Sequence, residues 1–220
     1  MAAREHHDAV ADVRRDQMLA AASTLIAERG FSDTRIADVA ERVGASPALV
    51  VYYFGTKDRL LTAALRYSET AFYAAAEAML TRTRSLSRRL ETLVDMTCVP
   101  QGSDDVPAAW GLWFDLWAQA FRQAQVEQDR IELDQSWRDL IERVVHDGVE
   151  AGEIAAVDAE DFAVTFSCLL DGLSIQVALK DPVVVPERAL RIAMSFASRE
   201  LGFAWKPRSS RRTSAGASKG

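Results

Sequence analysis

The sequence predicts an all-α protein: a three-helix N-terminal head followed by a larger helical bundle, about nine helices in all. Three observations carry this. Apolar residues recur at helical spacing along nearly the whole chain. No run of period-two alternation is bounded by an Asn-Gly or Asp-Gly turn, so no strand is assigned. Only six prolines occur, none inside a clearly periodic helical segment.

The first helix is expected from about Val13 to Glu28, with Met18, Leu19, Ala22, Leu25 and Ile26 in one stripe and Gly30 ending it. A short second helix carries Ile36, Val39, Ala40 and Val43 at i, i+3, i+4 and i+7, with Thr34 as its candidate N-cap. Gly44 permits a tight turn. Ser46 caps a third helix and Pro47 opens it, where a missing N–H costs nothing. Gly55-Thr56 interrupts that helix after Phe54. Thr56 caps a fourth, which runs to about Thr81, roughly 25 residues or 38 Å, long enough to join a head to a body.

A fifth helix spans about Ser85 to Val99, and PQGSDDVP reads as a loop. The sixth holds Trp110, Trp113, Phe114, Trp117 and Phe121. The seventh, from about Gln128 to Ala151, presents Leu133, Trp137, Leu140, Ile141, Val144 and Val145 inward. The eighth runs from Asp158, its N-cap, to Lys180 and is apolar around most of its circumference, so it is expected to be buried on more than one side. Pro186 opens the ninth, which continues to about Phe203. The head with the start of the linker helix falls at about 12–72 and the body at 73–204. Residues 205–220 are expected to form a disordered basic tail.

Composition excludes several classes. With 49% hydrophobic and 26% charged residues in 220, the chain is globular rather than disordered. The N-terminal stretch is charged rather than signal-like and no run of about 18 apolar residues occurs, so a cytoplasmic location without a membrane partner is expected. Cys98 and Cys168, inside apolar stretches, are expected as buried thiols. No phosphate-binding Gly loop, Gly-x-Ser-x-Gly or Cys-x-x-Cys occurs, and His6, His7 and His146 lack partners at metal-ligand spacing. Neither catalysis, a metal nor a cofactor is expected. The net charge of -6 is unevenly spread: residues 1–60 carry net -1, residues 61–204 net -10 and residues 205–220 net +5. Any contact with DNA must therefore rest on a few placed cations rather than a broad basic field.

The proportions of the second and third helices, about nine and eight residues joined at Gly44 and braced by a longer first helix, are those of a helix-turn-helix, here about 35–54. The run TRIADVAERVGASPALVVYYFGTKDRLL resembles the DNA-binding signature of TetR/AcrR-type transcriptional regulators. Thr34, Ile36, Ala37, Ala40, Gly44, Ser46, Tyr52, Phe54, Lys57 and Leu60 occupy the motif's places, and RRDQMLAAASTLIAERGF is also similar. The resemblance is close over about residues 13–66. It implies that Ser46, Pro47, Ala48, Leu49, Val51, Tyr52 and Tyr53 enter a major groove. It places Tyr52 and Lys57 on phosphates, Thr34 and Arg35 on the backbone, and Arg14 or Arg15 within reach of it. Ala48 and Leu49 stand where Gly-Thr is common and Val51 replaces a frequent Tyr, so no base preference is carried over. The bland alternative is that the tyrosines are packing residues and the arginines merely solvated.

The Trp-rich sixth helix and Asp171-Gly172-Leu173 resemble the choline-responsive subgroup of that family. Trp110, Trp113, Trp117 and Trp137 offer rigid walls for an aromatic or cationic small molecule, with Asp115 and Asp171 to neutralise a cation. A Trp stripe as plain core is the alternative. A single recognition helix reads few base pairs, so a homodimer on a palindromic DNA operator is expected. Phe162, Phe166, Leu169, Leu173, Leu190, Met194 and Phe196 are its candidate contact, unless both helices are plain core. The resemblance implies repression relieved by the effector. A helical binding protein without DNA contact is the competing reading, and an enzyme the weaker one.

Overall fold

Nine helices make up the described residues, 2–98 and 106–207, of the computed structural model. They are α1 (Ala2–Arg29), α2 (Ile36–Arg42), α3 (Pro47–Phe54), α4 (Lys57–Leu80), α5 (Leu86–Cys98), α6 (Val106–Ala120), α7 (Ala124–Glu150), α8 (Ala159–Ala178) and α9 (Pro186–Glu200). No strand occurs among the described residues. Local chemistry sets most of the boundaries. Ser46 Oγ accepts the Leu49 N–H at 3.2 Å, Thr56 Oγ1 that of Arg59 at 3.2 Å, and Asp158 Oδ1 that of Asp161 at 3.0 Å. Gly30, Gly44 and Gly55 all have positive φ where the three-helix head turns.

Several expectations are corrected. Thr34 is not the N-cap of α2; Arg35 is, and its N–H is bound by Asp38 Oδ2 at 3.0 Å. The first helix reaches back to Ala2, and α7 begins at Ala124. Val106 and Pro107, read as loop, open α6, a position where proline fits the first turn. Trp205, assigned to a disordered tail, lies against α5, its indole N–H donating to Glu91 Oε1 at 2.6 Å. The rest of the predicted tail, from residue 208, lies outside the described residues. Cys168 is exposed, whereas Cys98 is buried as expected.

Two cores form, and α4 threads both. The head core gathers Met18, Leu25, Val39, Val50, Phe54, Leu61 and Leu65, and takes in Leu112 and Leu116 of α6. The body core holds Ala76 and Leu80 of α4 with α5, α7, α8 and α9. Gly148 lets α7 approach the start of α5: a Cβ there would lie 2.9 Å from Leu86 Cδ2. The twenty residues of α8 are long and apolar enough to match a bilayer, but nine of them are buried against this bundle.

That packing also corrects the expected subunit contact. Phe162, Phe166, Leu173 and Met194 face inward and are at most 7% exposed, so they present no surface to a partner. The reason is aromatic packing within the monomer: Phe162, Phe166 and Phe196 stack with ring centroids 5.2 to 6.3 Å apart. Leu169, Leu190 and Phe196 are half-buried at the core edge.

Candidate DNA interface and effector cavity

Val50 and Phe54 pin α3 to the head core, which turns the opposite face outward. Ser46, Pro47, Ala48 and Val51 are exposed there, and Tyr52 is 82% exposed. A short helix so presented, with small residues at its leading end, fits a major groove about 12 Å wide. Leu49 and Tyr53 sit partly withdrawn against the head core, with Tyr53 edge-on to Tyr52 at 5.6 Å.

The flanking residues divide. Lys57, in the first turn of α4, donates from Nζ to Ser32 O at 3.0 Å and lies 4.5 Å from the Phe31 ring centroid. It thus braces the α1–α2 turn while two of its three protons remain for a phosphate. Arg15 is exposed with its guanidinium 5.7 Å from the Phe54 ring, and Arg35 is exposed at the start of α2. Arg14 donates to Gly44 O at 3.1 Å, tying α1 to the turn between α2 and α3. Thr34 departs from expectation: it is 4% exposed and its hydroxyl is donated to Gly30 O at 2.9 Å, so it holds the turn rather than facing a duplex. Arg59, exposed beside Gly55, adds a cation the sequence reading passed over. Its signal was the Lys57-x-Arg59 pair in one helical turn.

In the body, α4, α5, α6, α7 and α8 enclose a cavity of about 390 Å³. Trp110, Trp113, Trp117, Trp137 and Asp171, expected at a ligand site, all line it. Trp117 lies 6.1 Å from Trp110 and 5.9 Å from Trp113, and Phe72 stands edge-on to Trp137 at 5.9 Å. Asp115 does not reach the cavity; its carboxylate accepts the Phe31 N–H at 2.7 Å instead.

The sequence reading missed Glu69, Tyr73 and Asp134. Glu69, 9% exposed, is pushed up to about 7 by burial, against hydrogen bonds from Tyr73 and Trp113 that lower it. Burial likewise pushes Asp171 up to about 6. Burial raises Asp134 too, opposed by Arg130, with which it forms an ion pair, and by Arg138. The signal for Glu69 was present: with Leu61, Leu65, Ala76 and Leu80 it falls on one stripe of α4. Ring faces and buried carboxylates together suit an organic cation.

The head and the body each match a family of known proteins. Residues 18–64 match the family model of bacterial regulatory proteins of the tetR type, and residues 86–202, more than half the chain, match that of the BetI-type transcriptional repressor C-terminal region. HTH-type transcriptional regulator BetI from Cronobacter sakazakii is 28% identical over 192 residues, covering 86% of this chain and 91% of its own. The regulator of that name from Paraburkholderia phymatum is 25% identical, covering 84% and 91%. A putative transcriptional regulator from Saccharomonospora viridis, solved in complex with choline, superposes with a TM-score of 0.74 at 26% identity, covering 87% of this chain and 98% of that one. By these matches the chain belongs to the TetR family of bacterial regulatory proteins: it is a helix-turn-helix transcriptional regulator with a BetI-type body, not an enzyme.

Proposed function

We propose that the protein is a homodimeric cytoplasmic repressor that grips a palindromic operator with two copies of α3 and lets go when a small organic cation fills the α4–α8 cavity. One observation carries the reading. The tryptophan-walled, carboxylate-bearing cavity is lined by α4, and the same helix begins at Lys57 beside the exposed face of α3. A cation that favours one position of α4 thereby favours one spacing of the recognition helices, provided it binds the released state more tightly. The choline held by the Saccharomonospora viridis regulator suggests a quaternary ammonium compound as the effector class.

The dimer is assigned to the outward face of α8. Val164, Gly172 and Ile175 lie within one arc of that helix, with Leu179 at its C-cap. Val164 is 43% and Leu179 66% exposed. Two copies joined there are expected to set their α3 helices about 34 Å apart, one turn of the duplex. The test is to select an operator from random DNA and follow its binding by fluorescence anisotropy while choline or tetramethylammonium is added. Release at millimolar cation or below is expected. Tight operator binding that no organic cation relieves, with no change in tryptophan emission, counts against the effector assignment.

A further inference from the structure

Glu69 differs from the other cavity carboxylates. Asp134 is paired with Arg130, and Asp171 feels the favourable charge of Arg138. Glu69 has no basic side chain in ion-pair contact among the described residues; the polar groups beside it are neutral, Tyr73 of its own helix and Trp113 of α6, and the Tyr73 hydroxyl donates to Leu133 O at 3.5 Å. The remaining groups that line the cavity opposite it are Arg130, Asp134 and Arg138 from α7 and Cys168 and Asp171 from α8. The α5 wall supplies Met96 and Thr97, neither of which titrates in this range. Arg130 is committed to Asp134, and Arg138 donates to Gln135 Oε1 at 2.9 Å. A carboxyl group so buried, with neutral donors only, has two ways to escape the cost of a bare charge: keep a proton or acquire a cation.

We propose that Glu69 is the counter-ion for the cationic centre of the effector and gives up a proton as that cation binds, so the repressor reads cation concentration and pH together. The inference rests on the cavity being the effector site and specifies how that site responds. No covalent bond forms with the ligand: the carboxyl O–H ionises, its proton passes to solvent, and an ammonium–carboxylate pair replaces it. The Glu69 carboxyl is held near 7 by burial, so both forms are populated at neutral pH. Because Glu69 sits midway along α4, ionisation and cation binding act directly on the linker helix.

Calorimetry of the full-length protein with tetramethylammonium, in phosphate and in HEPES buffer, counts protons released per cation bound. About half a proton is expected at pH 7, approaching one near pH 6 and none by pH 8.5, and affinity falls about tenfold per pH unit below 7. The neutral isostere of choline, 3,3-dimethylbutan-1-ol, is expected to release none. Glu69→Gln abolishes the release and cuts the preference for choline over the isostere at least tenfold; Glu69→Asp, which restores a carboxylate, restores release. Cation binding to the wild type without proton exchange between pH 6 and 8 overturns the inference alone, as does full release retained in Glu69→Gln, which would move the role to Asp171. No binding of the cation at any pH, by heat or by tryptophan emission, overturns the effector-site reading along with it.

Discussion

The Asp115 carboxylate accepts the backbone N–H of Phe31 at 2.7 Å, joining positions 84 residues apart. Asp115 lies on α6 between Trp113 and Trp117, which wall the cavity, while Phe31 lies in the turn between α1 and α2 with Lys57 over its ring. The bond is thus a short mechanical path from cavity to head. Asp115→Ala is expected to cost about 1–3 kcal/mol of stability by orphaning a part-buried N–H. The sharper expectation concerns coupling: operator release should require at least fivefold more cation, while cation affinity by tryptophan emission stays within twofold. Asp115→Asn keeps an acceptor oxygen and should behave nearly as wild type. Equal changes in both titrations would show that Asp115 affects the cavity itself.

Lys57 braces the α1–α2 turn and, in the proposed function, also meets a phosphate, and substitution should separate the two. Its ammonium holds Ser32 O and the Phe31 face, and it carries the positive charge nearest the start of α4. Lys57→Ala should weaken binding to all DNA sequences about equally and reduce the salt slope by about 1, because one phosphate contact is lost. A fall of about 1 kcal/mol in unfolding free energy should accompany it. A salt slope unchanged from wild type would assign Lys57 to bracing alone. Changes at Ala48 or Val51, on the exposed face of α3, should instead alter preference among sequences.

Thr34 illustrates what the sequence could not disclose. The motif placed it beside a duplex, and its buried hydroxyl binds Gly30 O inside the turn. Thr34→Val preserves shape and removes the donor, so a loss of about 1 kcal/mol in stability with an unchanged salt slope is expected. Denaturant unfolding and anisotropy at several salt concentrations check both halves. A salt slope lowered by one unit would return Thr34 to the phosphate-contacting group.

Apart from the α2 cap, the head was legible because its signals are local: the Ser46 and Thr56 caps, the glycine turns and the apolar spacing within each helix act over a few residues. The tryptophan cavity was half legible. Helical spacing gathers Trp110, Trp113 and Trp117 on α6, but Glu69 and Asp134 join them only through tertiary packing of α4 and α7. Asp115 shows the same limit. It is one residue from Phe114 and two from Trp113, yet its position on the helix directs it to the head. For α8, apolar content was visible and its division was not: Phe166 and Leu173 go inward while Val164 and Leu179 go out.

That division makes the proposed dimer testable without disturbing the monomer. Val164 and Leu179 are exposed, so Val164→Glu and Leu179→Asp should leave helicity unchanged and stability within about 0.5 kcal/mol of wild type per monomer. Sedimentation should show conversion to a 24.3 kDa species, with operator affinity falling at least a hundredfold. Phe166→Ala, by contrast, empties core volume and should cost about 3–5 kcal/mol. If the double surface variant stays dimeric, the contact lies elsewhere than the outward face of α8.

Stability against pH gives an independent reading of Glu69 with no ligand present. Its carboxyl is raised from 4.5 to about 7 by burial, so between these values the folded state holds a proton that the unfolded state has released. The stabilising contribution is complete below about pH 4.5 and is lost as pH rises through 7, a change of about 3 kcal/mol. Asp171, raised to about 6, acts in the same direction over a lower window. Glu132, lowered by its pair with Arg66, acts in the opposite one, so the useful quantity is the difference between variant and wild type at each pH. Glu69→Gln keeps the shape and an acceptor oxygen beside Tyr73 and Trp113 but carries no charge to bury. The variant should match wild type near pH 5 and exceed it by about 1–3 kcal/mol at pH 8 in urea unfolding. Saturating tetramethylammonium should raise the wild type at pH 8 and do little for the variant. A stability difference that stays the same from pH 5 to pH 8 would mean that Glu69 is solvated in both states and its burial has no electrostatic consequence.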